Sequence, residues 1–167
     1  MRTVKLVTNL GEITLELDDE RAPVSVKNMI DYVQAKHFDG TVFHRVIDGF
    51  MLQCGGYDQQ LRKRPTRAAI TNEAANGLKN LRGTVAMART SEVDSATSQF
   101  FINVADNAFL DHKGKTPDKF GYAVFGRVSA GMDVVDAIKA VPTGSRGPFS
   151  QDCPQQDVVI EQALVVA

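Results

Sequence analysis

The sequence contains no tryptophan, only two cysteines in 167 residues, and almost no net charge. Its 19 basic and 20 acidic side chains give a formal charge of −1, which disfavours a protein that coats nucleic acid or an anionic membrane. No apolar run approaches the roughly 18 residues that span a bilayer, and the first residues lack the apolar stretch of a signal peptide. These absences predict a cytoplasmic protein that binds neither nucleic acid nor membrane.

The two cysteines, Cys54 and Cys153, lie far apart and form no C-x-x-C motif. This spacing favours reduced structural thiols over a disulfide framework. With 43% hydrophobic and 23% charged residues, and with no repeat or linker, the chain is predicted to form one globular domain over residues 1–167. The basic run at 62–67 is interpreted as a solvated loop.

Common catalytic and nucleotide-binding motifs are also missing. The three histidines do not have the spacing of metal ligands, and neither a P-loop nor G-x-G-x-x-G opens a helix, so no metal and no cofactor are expected. No serine stands in a G-x-S-x-G elbow. A hydrolase whose dispersed triad includes His44 and Asp48 stays open as an alternative.

The periodicity of the chain predicts a mainly β protein. Apolar residues alternate through Ile13, Leu15 and Leu17, which is typical of a half-buried strand paired with residues 4–6 in a hairpin. Residues 23–36 predict an amphipathic helix that Pro23 opens and Ser25 caps, and 132–140 predict a second helix. Further strands are predicted at 41–47, 50–54, 84–88, 98–104, 122–128 and 157–166. Eight strands and two helices favour a closed barrel capped at its ends.

Polar and apolar side chains share one face of several predicted strands. Strand parity places Arg45 with Phe43 and Ile47. A guanidinium among apolar neighbours is costly unless its hydrogen bonds are accepted, so Arg45 either pairs with an acid or serves a ligand. The same parity groups further residues of this kind: Met51 with Gln53, and Gln99 with Phe101 and Asn103. Together these strands predict a cleft with an apolar base and a polar rim.

Four segments in order resemble the cyclophilin family of peptidyl-prolyl cis–trans isomerases: Phe43–Gln53, Gly83–Ala88, Ser98–Ile102 and Phe125–Val128. The resemblance runs from about residue 4 to about 165. It implies an all-β fold, a closed eight-stranded antiparallel β-barrel capped by two α-helices. It also implies an enzyme without a cofactor that acts on proline-containing peptides and on unfolded or partly folded proteins, as a monomer. The alternative is a non-catalytic module that binds proline peptides or docks client proteins.

The resemblance also implies roles for individual residues. Arg45 is then the catalytic arginine, and Gln53 is its polar partner near the substrate backbone. The implied proline pocket comprises Phe50, Met51, Phe101 and Leu110. The implied peptide groove comprises Ala88, Arg89, Thr90 and Gln99, with Arg89 offering mainly its backbone, and the outer rim comprises Phe109 and Tyr122. Phe43, Phe100 and Phe125 are expected to be core residues.

Some positions depart from the pattern of many eukaryotic members. Phe109 stands where those members carry tryptophan, Tyr122 where they often carry histidine, and Arg89–Thr90 where they commonly have Asn-Ala. These residues resemble the bacterial cytoplasmic branch of the family. Because the indole's size and its N–H donor are lost, only weak cyclosporin binding is expected.

Overall fold

A computed structural model describes residues 1–167, which fold into eleven strands and two α-helices. The strands are β1 Arg2–Thr8, β2 Gly11–Leu17, β3 Thr41–Val42, β4 Arg45–Ile47, β5 Met51–Cys54, β6 Thr84–Met87, β7 Phe100–Asn103, β8 Val124–Ala130, β9 Thr143–Arg146, β10 Phe149–Pro154 and β11 Val159–Val165. The helices are α1 Pro23–Gln34 and α2 Met132–Lys139. Short 3₁₀ helices occupy Ala74–Asn76 and Ala108–Leu110. No helix is long and apolar enough to cross a membrane.

Nine strands form one antiparallel sheet in the order β3-β11-β1-β2-β8-β6-β7-β5-β4, so the prediction of a mainly β fold with two helices is confirmed. The sheet differs in detail from a closed eight-stranded barrel. The predicted strand 41–47 splits into β3 and β4, which lie at the two opposite edges of the sheet and do not pair with each other. Strand parity is lost at this break, so Phe43 lies in the main core while Ile47 packs beside a smaller cluster.

The main core lies between the curled sheet and the two helices. In the first hairpin Val4 pairs with Leu15 and Leu6 with Ile13, and all four side chains are fully buried. Helix α1 packs against β11, and α2 packs against β2, β4 and β5. The core also contains the large aromatic residues predicted to be there, Phe43, Phe100 and Phe125. These side chains hold the sheet in its curled shape.

Helix α1 begins at Pro23 as predicted, but Ser25 is not its cap. The Glu73 carboxylate, from the long connection after β5, accepts hydrogen bonds from the backbone N–H of Ser25 at 2.7 Å and of Val24 at 3.2 Å. It also accepts the Ser25 hydroxyl at 2.7 Å. A carboxylate at a helix N-terminus satisfies free N–H groups and complements the helix dipole. Because the cap comes from 48 residues away, local sequence does not reveal it.

The hairpin β9–β10 was not predicted, because its residues show no alternation of apolar and polar side chains. It packs against β4, where the Phe149 ring lies 5.2 Å from the His44 ring and 4.9 Å from that of Tyr57. Cys153 in β10 is buried in the small cluster beneath, with Val42 and Leu61. This hairpin therefore covers the edge of the sheet that carries Arg45.

Candidate active site

A pocket of about 130 Å³ opens beside the edge strands β4 and β5. Nine side chains line it, all of them in the predicted site: Arg45, Phe50, Met51, Gln53, Ala88, Arg89, Phe101, Leu110 and Tyr122. The remaining three predicted residues lie next to it. Thr90 and Phe109 line an adjoining cavity, and Gln99 is hydrogen-bonded to Gln53. The structure thus brings together residues from segments far apart in the sequence.

The base of the pocket is apolar and nearly closed to solvent. Met51, Phe101 and Leu110 are 1%, 4% and 7% exposed, and they form a cluster separate from the main core. The Tyr122 ring meets Phe101 edge to face, with 5.8 Å between ring centroids. Successive side chains of a strand point to opposite sides of the sheet. In β5 and β7, one set of side chains therefore enters the main core and the other set enters this pocket.

Strand register places the exposed Arg45 beside this apolar base. Arg45 in β4 pairs with Gln53 in β5, and Gln53 pairs in turn with Phe101 in β7. The Arg45 guanidinium lies 6.0 Å from the centroid of the Phe50 ring. The Arg45 guanidinium takes part in no hydrogen bond or ion pair within the protein, and Arg45 is exposed to solvent. Its five N–H donors are therefore free for a ligand in the pocket.

A pair of amide side chains forms the polar side of the site, where Gln53 lines the pocket and Gln99 lies next to it. Gln53 Nε2 donates to Gln99 Oε1 at 2.8 Å. Gly56 packs closely against the Gln99 side chain. A Cβ at position 56 would lie 2.5 Å from the Gln99 amide nitrogen. A larger residue at position 56 would push the Gln99 side chain aside and disturb its hydrogen bond to Gln53.

The Arg89 side chain has a structural role that the sequence did not reveal. Its guanidinium donates hydrogen bonds to four backbone carbonyls: Thr90 at 3.0 Å, Ser91 at 3.2 Å, Pro117 at 2.9 Å and Gly121 at 2.8 Å. It also lies 5.4 Å from the centroid of the Tyr122 ring. The resemblance implied mainly a backbone role for this residue. In the structure the side chain joins two loops and holds Tyr122 at the pocket wall.

A buried network of asparagines lies behind the pocket, and sequence reasoning missed its role. Asn103, which is fully buried, donates to Asn80 Oδ1 and to Thr84 Oγ1, both at 3.0 Å. It accepts a hydrogen bond of 2.8 Å from Asn107. Asn107 donates in addition to the backbone carbonyl of Phe50 at 2.9 Å. The network therefore fixes the backbone at Phe50, on one wall of the pocket.

The same network reaches the opposite wall through Asn80. The Asn80 backbone N–H and side-chain amide donate to Asp111 Oδ1 at 2.7 and 3.0 Å, next to Leu110 in sequence. The Asn80 amide also lies 3.4 Å from the carbonyl of Tyr122. Buried amides whose hydrogen bonds are satisfied rigidify their surroundings. The only sequence signal was the parity that placed Asn103 on the face of Phe101.

The structure does not support the hydrolase alternative. The His44 ring is 4% exposed, lies 4.6 Å from the Tyr57 ring, and its Nδ1 has no hydrogen-bond partner. Burial, with a smaller contribution from the Arg45 charge, lowers the pKa of His44 to about 4. Asp48 is exposed and lies 3.9 Å from the Lys139 ammonium. A buried neutral imidazole without a serine or an acid partner is not a general base.

The remaining candidate groups also lack a chemical role in the pocket. Burial raises the pKa of the Cys54 thiol well above its ordinary value, so this thiol is an unreactive core residue. Burial also raises the pKa of Cys153. No group of three or more His, Cys, Asp or Glu side chains is arranged to hold a metal ion. The chemistry of the pocket therefore comes from an apolar base, one free guanidinium and two amides.

Comparison with known proteins shows which family this chain is similar to. The family model described as cyclophilin type peptidyl-prolyl cis-trans isomerase/CLD matches residues 3–165. Peptidyl-prolyl cis-trans isomerase cyp18 of Streptomyces antibioticus is 58% identical, with 99% of each chain covered. Peptidyl-prolyl cis-trans isomerase B of Escherichia coli (strain K12) is 51% identical, with 95% of this chain and 96% of the relative covered.

A cyclophilin of Cryptosporidium parvum, crystallised in the presence of the dipeptide Ala-Pro, has the same fold. Its TM-score is 0.79 at 22% identity, with 99% of each chain covered. The protein is thus a small β enzyme whose candidate site is a pocket on the sheet surface. The chain belongs to the cyclophilin-type peptidyl-prolyl cis-trans isomerase family, and the predicted enzyme class, an isomerase of X–Pro bonds, is confirmed.

Proposed function

We propose that Arg45 and the apolar pocket beneath it catalyse rotation about X–Pro bonds in exposed segments of protein chains. The proline ring binds among Phe50, Met51, Phe101 and Leu110, while the carbonyl side of the bond rotates above it. Because the ring is held and the flanking chain is free to turn, the two isomers exchange without dissociation. No covalent bond is made or broken.

The barrier to this rotation is the resonance of the peptide bond, about 18–20 kcal/mol, which makes the uncatalysed step take tens to hundreds of seconds. In the twisted state the prolyl nitrogen regains its lone pair and accepts a hydrogen bond better than in either planar isomer. A donor aimed at that nitrogen stabilises the transition state more than the ground states, which is the requirement for catalysis. The permanently protonated guanidinium of Arg45 suits this role.

The hydrogen bond alone does not supply the whole effect. An acceleration of about 10⁵ requires a barrier lower by about 7 kcal/mol, whereas one charged hydrogen bond contributes about 1.5–3 kcal/mol. The remainder must come from anchoring the ring and from a site that excludes water. The buried base of the pocket and the amides of Gln53 and Gln99 supply such surroundings.

The observation that carries this proposal is the free guanidinium of Arg45 at the rim of a pocket whose apolar base is buried. A guanidinium with only a structural role would be expected to be tied to an internal acceptor, as Arg89 is. A module that only binds proline peptides needs the apolar pocket but no donor directed at the prolyl nitrogen.

The test is two-dimensional exchange NMR on a short Ala-Pro peptide with catalytic amounts of protein. Wild type and the control Arg62→Ala, which alters an exposed arginine outside the pocket, should give cis–trans exchange peaks. Arg45→Ala should lose at least about a hundredfold in turnover while its thermal transition changes little. Loss of the fold in Arg45→Ala would make Arg45 structural. Peptide shifts without exchange in the wild type would favour the binding module.

The clients of the enzyme are proposed to be unfolded or partly folded proteins, because X–Pro isomerisation limits the folding of such chains. The location is proposed to be the cytoplasm, and the working form a monomer. Refolding of a substrate whose slow phase is a prolyl isomerisation should accelerate with the wild type and not with Arg45→Ala.

Cyclosporin is proposed to bind weakly. Phe109 is 65% exposed at the pocket edge and presents no N–H donor there. Phe109→Trp should therefore strengthen cyclosporin binding, as measured by calorimetric titration. An unchanged affinity would show that residue 109 does not contribute to binding of this ligand.

A further inference from the structure

A second and larger cavity adjoins the proline pocket. Its volume is about 580 Å³, and Arg89 and Tyr122 line both spaces. The two side chains form a shared wall, since the guanidinium lies 5.4 Å from the centroid of the tyrosine ring. A chain whose proline occupies the first pocket therefore has this cavity within reach of its neighbouring residues, because successive Cα atoms are about 3.8 Å apart.

Three cationic and two anionic side chains line this cavity, but two of the five are occupied by internal hydrogen bonds. Arg89 donates to four backbone carbonyls, as described above. Asp111 Oδ1 accepts two hydrogen bonds from Asn80. These two residues build the cavity, and they leave Lys113, Lys119 and Asp118 as its remaining charges.

The two lysines that line the cavity are neighbours through their backbones. The backbone N–H of Lys113 donates to the carbonyl of Lys119 at 2.7 Å, so their side chains start from paired positions. Both are exposed, and none of the salt bridges of the protein uses either ammonium group. Phe109 adds an apolar surface, 65% exposed, whose ring lies 5.5 Å from that of Phe50 in the proline pocket.

We propose that this cavity is a second substrate subsite, which receives an acidic side chain located close to the isomerised proline. The stem of a glutamate can lie along Phe109 while its carboxylate meets Lys113 and Lys119. The carboxylate of Asp118, whose pKa is lowered by a hydrogen bond from Thr116 and less by the charge of Lys119, opposes only part of the two positive charges. This inference rests on the proposed function, since it presupposes that the proline occupies the neighbouring pocket.

The size of the effect follows from the exposure of both lysines. Solvent-exposed ion pairs contribute about 0.2–1 kcal/mol, which corresponds to a preference of up to about fivefold. Salt screens such pairs, and the Debye length falls from about 10 Å at 0.1 M to about 3 Å at 1 M. The preference should therefore be present at low ionic strength and nearly vanish near 1 M salt.

The experiment uses matched peptides that differ only by Glu or Gln at one position, from one to three residues before or after the proline. Exchange NMR gives kcat/KM for each peptide, and the readout is the Glu/Gln ratio. The test variant is the double change Lys113→Gln and Lys119→Gln. The control variant is the double change Lys36→Gln and Lys63→Gln, which removes the same charge from exposed lysines outside both cavities.

The wild type and the control variant should prefer Glu by about two- to fivefold at one or more positions, and the test variant should lose that preference. A Glu/Gln ratio near one at every position overturns the proposal, as does a preference that survives in the test variant. A wild type without turnover on any peptide contradicts the proposed function instead. Chemical-shift titration of the same peptides then still measures whether the lysines select Glu.

Discussion

The side-chain amide of Gln53 donates a 2.8 Å hydrogen bond to the side-chain carbonyl of Gln99. This contact connects β5 with the segment just before β7, and it orients Gln53 beside its cross-strand neighbour Arg45. The amide provides polarity near the guanidinium without a charge that would bind it. A neutral partner of this kind leaves the donors of Arg45 free for the hydrogen bond to the prolyl nitrogen that we propose.

Gln53→Glu is therefore expected to be more harmful than its small change in shape suggests. The new carboxylate stands opposite Arg45 and forms an ion pair that competes with the substrate, and it can no longer donate to Gln99. We expect kcat to fall about tenfold or more, since one charged hydrogen bond amounts to about 1.5–3 kcal/mol. Exchange NMR with a short X–Pro peptide measures the effect.

Gln53→Leu is the matched control, because it keeps the approximate shape and adds no charge. It should lower kcat less than Gln53→Glu does. Equal activity in Gln53→Glu and the wild type would show that the guanidinium of Arg45 does not need to be free.

Phe101→Ala should weaken both peptide binding and turnover. The ring is 4% exposed at the base of the pocket, and truncation of a buried phenylalanine costs about 3–5 kcal/mol of folding stability. We expect KM to rise and kcat/KM to fall by at least about tenfold, measured well below the lowered thermal transition. Phe109→Ala, which changes a ring that is 65% exposed, should cost little stability. Unchanged KM and kcat in a folded Phe101→Ala protein would remove this ring from the binding pocket.

Asn103 is expected to be a positioning residue for the pocket. It connects Asn107, which holds the Phe50 carbonyl, with Asn80, which holds Asp111. Asn103→Leu keeps the approximate volume but removes three hydrogen bonds, so the two walls of the pocket lose their connection. We expect KM to rise about three- to tenfold while kcat changes less, because the proline is held less firmly in all states.

Thr41→Val is the control for a loss of stability alone, since it removes one buried hydrogen bond, from the Thr41 hydroxyl to the Phe38 carbonyl at 2.6 Å, away from the pocket. It should lower the thermal transition and leave KM unchanged. Thr84→Val, which removes a single contact of Asn103, serves as a milder second variant if Asn103→Leu does not fold. A KM that stays at the wild-type value in both network variants would make the asparagines structural only.

The elements that could be predicted from the sequence are those with a hydrophobic periodicity of their own. The alternation at Ile13, Leu15 and Leu17 and the helical spacing of 132–140 are local signals, and both elements are present. The split of 41–47 into two strands is not local, because it depends on the curl of the sheet that carries β3 and β4 to opposite edges. The cap that Glu73 places on α1 depends on a loop from elsewhere in the chain.

The site shows the same limit. Strand parity in the segments around Arg45 and Phe101 predicted only a cleft, and the pocket residues were implied by the resemblance of these segments to the cyclophilin family. The carbonyls that Arg89 binds lie on two loops, and no periodicity predicts where loops meet. The asparagine network is likewise a set of polar residues that appear ordinary in sequence, and only their shared burial reveals a role.

His44 should make the stability of the protein depend on pH. Its pKa falls from the ordinary histidine value of 6.5 to about 4 in the folded protein, so the unfolded chain binds more protons between these pH values. The free energy of unfolding is then highest above about pH 6.5. It declines as the pH falls towards 4, by about 3 kcal/mol in total. Below pH 4 the folded protein binds the proton too, and this loss stops.

His44→Phe should flatten that decline, because phenylalanine does not titrate and its ring can pack between Tyr57 and Phe149. Urea denaturation at several values between pH 4 and pH 7 measures the free energy of unfolding of both proteins. Burial also lowers the pKa of His37, so a smaller slope of the same sign should persist in the variant. If the variant kept the whole slope of the wild type, the pH dependence would have to come from groups other than His44. Activity on an X–Pro peptide at pH 7 should survive, since the neutral imidazole takes no part in the rotation.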